Sequence, residues 1–241
     1  MHIMDLGITH HCLGNTLFLM CWRDRYFGAG LSAGDRLKLV WDRIEAQYEH
    51  RQTTSRMGAL SLTMFTDPDR PHQKYPVLSS RAKAAESRHL VPVLASIFDD
   101  VCDIGREEDR RISAMLNGLA RAYEAMESKE LQLSAIELHD FRHSLDTCLL
   151  NYRLLHIAAI RAVPRQLLWN EVPKMQYTQH VSDQAERQHP RLSWCYTDED
   201  FMNIVKVVTE SCLSGTKAHR AMPKVLNKWA FGIALRLSRR L

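Results

Sequence analysis

Three adjacent carboxylates, Asp198, Glu199 and Asp200, are the sharpest local feature of this sequence. They follow the alternating run Leu192-Ser193-Trp194-Cys195-Tyr196, which reads as a short strand. They open a segment with Phe201, Ile204, Val205 and Val208 at helical spacing. Hard oxygen ligands at such a junction suit Mg²⁺. The same residues also suit a plain helix start, because the macrodipole favours acids there and Thr197 with Asp200 makes a capping box. His139 and His143 lie four apart with Glu137 nearby, as two metal ligands on one helix face would. The intervening Asp140-Phe141-Arg142 lacks the glutamate of a zinc protease motif, and the polarity of that face favours solvated imidazoles. His10-His11-Cys12 has no second Cys/His cluster at zinc-finger spacing. The twelve histidines are scattered and read first as surface and helix-terminus residues. Cys148 and Cys195 sit in no recognisable nucleophile setting and read as buried, inert thiols. No phosphate-cradling glycine loop occurs.

The other candidate chemistry is cationic. A final amphipathic helix over 223–241 carries Lys224, Lys228, Arg236, Arg239 and Arg240, with Trp229, Phe231, Leu235 and Leu237 between them. Such a helix can lie along a phosphate backbone or dock on a partner. It can equally pack its apolar stripe on the core and leave the cations in water. The formal charge of +4 is compatible with DNA, but the acids that balance most of the basic residues dilute the field.

The elements that must hold these residues read as helices. The chain has 241 residues, 45% apolar and 25% charged, with only 10 glycines and 8 prolines: a globular composition with long elements. Residues 6–25 suit a buried helix ended by Gly28-Ala29-Gly30. Ser32 or Asp35 caps a second helix carrying Leu37, Val40, Trp41, Ile44 and Tyr48 on one stripe. Residues 60–65 alternate like a short strand, and Asp67-Pro68-Asp69-Arg70-Pro71 is a loop. Ser79 starts a third helix that bends or restarts at Pro92. Residues 107–126 form a fourth, facing Ile112, Met115, Leu116, Leu119 and Tyr123 inward. The capping box from Ser134 to Glu137 opens the longest helix, which Pro164 stops near Val163. Residues 165–186 read as helical pieces interrupted by Pro173. The predicted class is all-α with at most one or two short strands, in a single domain over 1–241. Within it, 6–188 form a helical region and 189–241 a strand-helix unit with the basic terminal helix. Six cysteines without a C-x-x-C pair read as free thiols, and the start lacks the basic stretch of a signal peptide. No apolar run approaches the roughly 18 residues of a membrane span, so the expected setting is soluble and intracellular, with no membrane partner.

Several stretches resemble large cut-and-paste DNA transposases of the CACTA-like group and proteins derived from them. Met1-His2-Ile3 followed by Leu13-Gly14-Asn15-Thr16-Leu17 looks like the segment after that family's second catalytic aspartate. His189-Pro190, the apolar run to Tyr196 and Thr197-Asp198-Glu199-Asp200 resemble the stretch that brings in its third acid. Lys83-Ala84-Ala85-Glu86-Ser87-Arg88-His89-Leu90 also looks like a family segment, with no role assigned. The resemblance implies a ribonuclease-H-like fold interrupted by a helical insertion over 6–188. Glu199 would match the third carboxylate of a set holding two Mg²⁺ ions for in-line attack on a phosphodiester. The first two acids would lie before Met1, and Asp5 falls on the wrong side of His2 to replace one. The resemblance therefore implies a C-terminal portion that does not cut DNA alone and needs no cofactor in isolation. Its partners would be DNA, the N-terminal portion or a sister subunit, in the nucleus of a eukaryote. The alternative is a free-standing helical protein-interaction module.

Overall fold

The computed structural model describes residues 4–79, 81–127, 132–190, 209–212, 220 and 223–228. Two compact units divide the chain, Met1–Ser193 and Trp194–Leu241. In the first, a π-helical turn at Met4–Ile8 leads into seven helices: α1 (Thr9–Trp22), α2 (Asp24–Phe27), α3 (Ala33–His50), α4 (Ala84–Val101), α5 (Glu107–Ala125), α6 (Ala135–Arg161) and α7 (Pro173–Gln184). A 3₁₀ turn occupies Leu62–Met64, and no strand forms among the described residues. The class is all-α. No helix among the described residues is long and apolar enough to cross a membrane.

The first unit is built around α1. Every residue of this helix except His11 and Trp22 is buried, as expected of a helix apolar on all sides. It packs against α3, α4 and α5. The N-termini follow the local chemistry. Ser32 Oγ accepts the Asp35 N–H at 3.1 Å while Asp35 Oδ2 accepts the Ser32 N–H at 3.2 Å. Ser134 and Glu137 repeat that exchange at the start of α6. Each such cap contributes about 1 kcal/mol. Leu37, Val40, Ile44 and Tyr48 form the buried stripe of α3, with Trp41 at its half-buried edge.

Glycine sets the closest helix approach. α5 and α6 make the most extensive packing in the unit. A Cβ at Gly118 would lie 2.6 Å from the Ser144 carbonyl oxygen and 3.1 Å from the Cys148 nitrogen. Both are backbone atoms, so the two helices would have to part. We expect Gly118→Ala to cost about 1–3 kcal/mol, read as a lower urea midpoint. An unchanged midpoint would mean that α5 and α6 already stand further apart.

Three expectations need correction. Residues 60–65 are not a strand: Met64 and Phe65 donate backwards to Ser61 and Leu62 in the 3₁₀ turn. The Val77 and Ser79 N–H groups reach the Phe65 and Met64 carbonyls at the end of that turn, and the Leu78 N–H between them donates to His10 O in α1. The third helix starts at Ala84, not Ser79, where the Lys83 N–H donates to Glu86 Oε2 at 3.0 Å. It then runs without restarting through Pro92, which its buried Val91, Val93, Leu94 and Ile97 carry into the core on either side. Pro173 does not interrupt a helix but begins one, as the first residue of α7, where its missing N–H would be unpaired anyway. The strand expected over 192–196 lies outside the described residues.

Candidate binding groove

The residues singled out in the sequence divide sharply. Glu199, with Asp198 and Asp200, lies outside the described residues, as do Arg236, Arg239, Arg240 and Cys195. Lys224 and Lys228 are described: both are exposed and lie in a helical stretch over 223–228, and Lys228 Nζ donates to Ser211 Oγ at 2.8 Å. His139 and His143 are exposed on α6 with their rings stacked, centroids 6.2 Å apart. Among the described residues no three His, Cys, Asp or Glu side chains gather as a metal would need. Cys148 is buried in the core, and its neighbour Cys12 has its thiol pushed well up by burial and by Cys148. Neither thiol is open to a substrate.

Burial also overturns the surface reading for His10 and for His189, which is 1% exposed. His10 is 3% exposed on α1, its Nε2 2.9 Å from Ser87 Oγ of α4. Burial, aided by the charges of His11 and Lys174, holds its pKa down to about 4. Burial and Lys174 bring His11 to about 4 as well. A Ser–His pair sealed in this way packs two helices together and meets no substrate.

The open chemistry lies elsewhere, on residues that no motif announces. Arg23 ends α1, Arg25 sits on α2, Arg111 stands on the second turn of α5 and Arg161 ends α6. All four line one groove of about 720 Å³, together with Glu107 and Glu108 and an aliphatic wall of Leu154, Leu155, Ile157 and Ala158 from α6 and Ala162 just beyond it. The rim is built on a buried anchor. Asp109 is fully buried and accepts Arg25 Nη2 at 2.6 Å, the Tyr26 hydroxyl at 2.8 Å and the Asp103 N–H at 3.1 Å. Its charge at the start of α5 is further favoured by the helix dipole. The same arginine reaches Glu108 at 2.9 Å, and Arg23 pairs with that carboxylate too. Arg111 bonds Glu107, holding its carboxyl below the usual range. Behind α2, the buried Arg36 donates to the Cys21 and Gly28 carbonyls and pairs with Asp24, which closes the end of α1.

The far end of the groove is formed by residues 162–172, which turn back over α6. Gln166 lines both this groove and an adjoining one of about 450 Å³, to which Phe18, Trp22, His72 and Arg165 belong. Trp169 holds this return in place despite a φ of 57°, uncommon for a bulky residue. Its N–H donates to Asn15 Oδ1 at 2.8 Å, its carbonyl accepts His156 Nδ1 at 2.8 Å, and its ring meets Tyr152 edge-on at 5.6 Å. Among the described residues neither Arg161 nor Arg165 has an ion pair. No family model, curated protein or solved structure matches this chain.

Proposed function

We propose that this chain is a helical binding module that takes an anionic partner along the groove between α2, the start of α5 and the end of α6. The observation that supports it is the convergence of Arg23, Arg25, Arg111 and Arg161, from distant parts of the sequence, beside an aliphatic wall. Arg161 and Arg165 favour it most. Both face solvent beside the groove and, among the described residues, have no ion pair to break before a partner binds. Arginine, weakly hydrated and able to grip carboxylates or phosphates with two bonds, is the cation suited to such a surface.

The test is a titration of labelled oligoglutamate and labelled oligothymidylate, followed by fluorescence anisotropy at low salt. Arg161→Glu with Arg165→Glu should weaken whatever binds by about tenfold or more. Lys224→Glu with Lys228→Glu should leave it nearly unchanged. The opposite pattern would move the site to the terminal basic helix, where Lys224, Lys228, Arg236, Arg239 and Arg240 would contact DNA, and the groove reading would fail.

We further propose a transposase-derived origin, on the resemblance of the stretches quoted above. Gly14, Asn15 and Ser87 within those stretches also have packing roles here, which account for them without catalysis. With only Glu199 of three expected carboxylates, the purified chain should not nick supercoiled plasmid in Mg²⁺ or Mn²⁺. Nicking that disappears in Glu199→Gln would overturn the view that this chain is inactive alone.

A further inference from the structure

We infer that the occupant of the groove is an acidic amphipathic helix of a partner protein, an inference that rests on the groove reading above. The wall argues for it first. Leu154 and Ala158 stand one turn apart on α6 inside the groove, with Ile157 beside them and Ala162 just past the helix end. Leu150, one turn before Leu154, is 59% exposed and extends the same face outward. From Leu150 to Arg161 this face runs about 16 Å at about 1.5 Å per residue, three turns of a helix laid alongside. A phosphate backbone has nothing to cover such a wall, and bases stack on aromatic faces. The groove wall itself has no aromatic ring; Phe18, Trp22 and His72 belong to the adjoining groove, off the aliphatic face.

The rim argues second. Its arginines alternate with Glu107 and Glu108, and Glu107 is two-thirds exposed. A polyanion of uniform charge is repelled by those two acids, whereas a peptide can set a carboxylate against Arg161, which has no acid of its own among the described residues, and leave a gap or a lysine opposite Glu107. Apolar residues at helical spacing would meet the wall, and flanking acids would meet the rim.

Three labelled probes decide the matter in anisotropy titrations of the whole chain: a peptide helix with leucines on one face and glutamates flanking them, a scramble of the same composition, and oligothymidylate. The ordered peptide should bind about tenfold more tightly than the scramble. Arg161→Glu should weaken it, and Leu150→Ser with Leu154→Ser should weaken it while leaving the scramble and the oligonucleotide unchanged. Leu150→Ser alone, at an exposed position, serves if the double variant does not keep its helical circular dichroism. If scramble and oligonucleotide bind as well as the ordered peptide, lose affinity with Arg161→Glu and ignore the leucines, the helix inference is overturned while the groove reading stands. If no probe responds to Arg161→Glu with Arg165→Glu, the groove reading fails and takes this inference with it.

Discussion

Replacing Asn15 with leucine should destabilise the protein by about 2–6 kcal/mol, because two buried backbone groups would lose their partners at about 1–3 kcal/mol each. The side chain is fully buried in the middle of α1. Its Nδ2 donates to the Pro76 carbonyl at 2.9 Å and to His11 O at 2.8 Å, and its Oδ1 accepts the Trp169 N–H at 2.8 Å. One amide therefore ties the central helix both to the loop before α4 and to the segment that closes the groove. Leucine has similar bulk, so the loss would come from desolvated, unanswered polar groups rather than from a cavity. Against a total stability of about 5–15 kcal/mol this is a large fraction. Urea denaturation at neutral pH measures the loss. Amide exchange at Trp169 measures its location, and should accelerate more than exchange in the middle of α5. A change below about half a kcal/mol would mean that water or rearranged backbone satisfies those groups.

Acid should destabilise the fold through His10 and His11 well before its carboxylates titrate. Burial holds both rings near a pKa of about 4, against 6.5 for the free side chain. The folded value is depressed, so the unfolded chain binds protons first. The contribution is complete above pH 6.5 and is lost as pH falls from there towards about 4. A shift of that size corresponds to about 3 kcal/mol for each ring. The pair loses less than twice that, because part of the shift at His10 is the charge of His11 itself. His89, lowered by burial and by Arg88, adds in the same direction. The carboxyls of Asp35 and Glu107 are lowered by their hydrogen bonds from 3.8 and 4.5, so their contribution fades only below the range from pH 7 to pH 5. Urea melts from pH 7 to pH 5 should show stability falling with a slope approaching two protons, and His11→Gln should reduce it by nearly one. A stability curve flat over that range would show that both rings are solvated.

The sequence carried the helical class and much of its punctuation, because those signals are local. Ser32 with Asp35 and Ser134 with Glu137 announce their helices within four residues, and the inward stripes of α3 and α5 follow from periodicity. Residues 60–65 misled because alternation describes a half-buried edge without supplying a partner strand. Pro173 misled because proline breaks a helix only from inside it and is at home in the first turn. His10 could not be placed from its neighbours, since Ser87 comes to it from another helix. The groove was the least legible feature. In the sequence Arg23 and Arg25 stand at the end of the buried stretch 6–25 and Arg161 and Arg165 beside Pro164, with no motif around either pair. Only the packing of α2, α5 and α6 sets them around one space. A faint trace exists in the cluster Trp22-Arg23-Asp24-Arg25, whose single acid leaves the local charge positive and unexplained.

The central claim, that the groove is the binding surface, is tested most directly by a methyl-resolved NMR titration of the whole chain with the acidic helical peptide. The account predicts saturable shifts at Leu150, Leu154 and Ile157, with Val225 and Leu226 unmoved. Shifts confined to Val225 and Leu226, or binding that leaves the α6 methyls where they are, would contradict it.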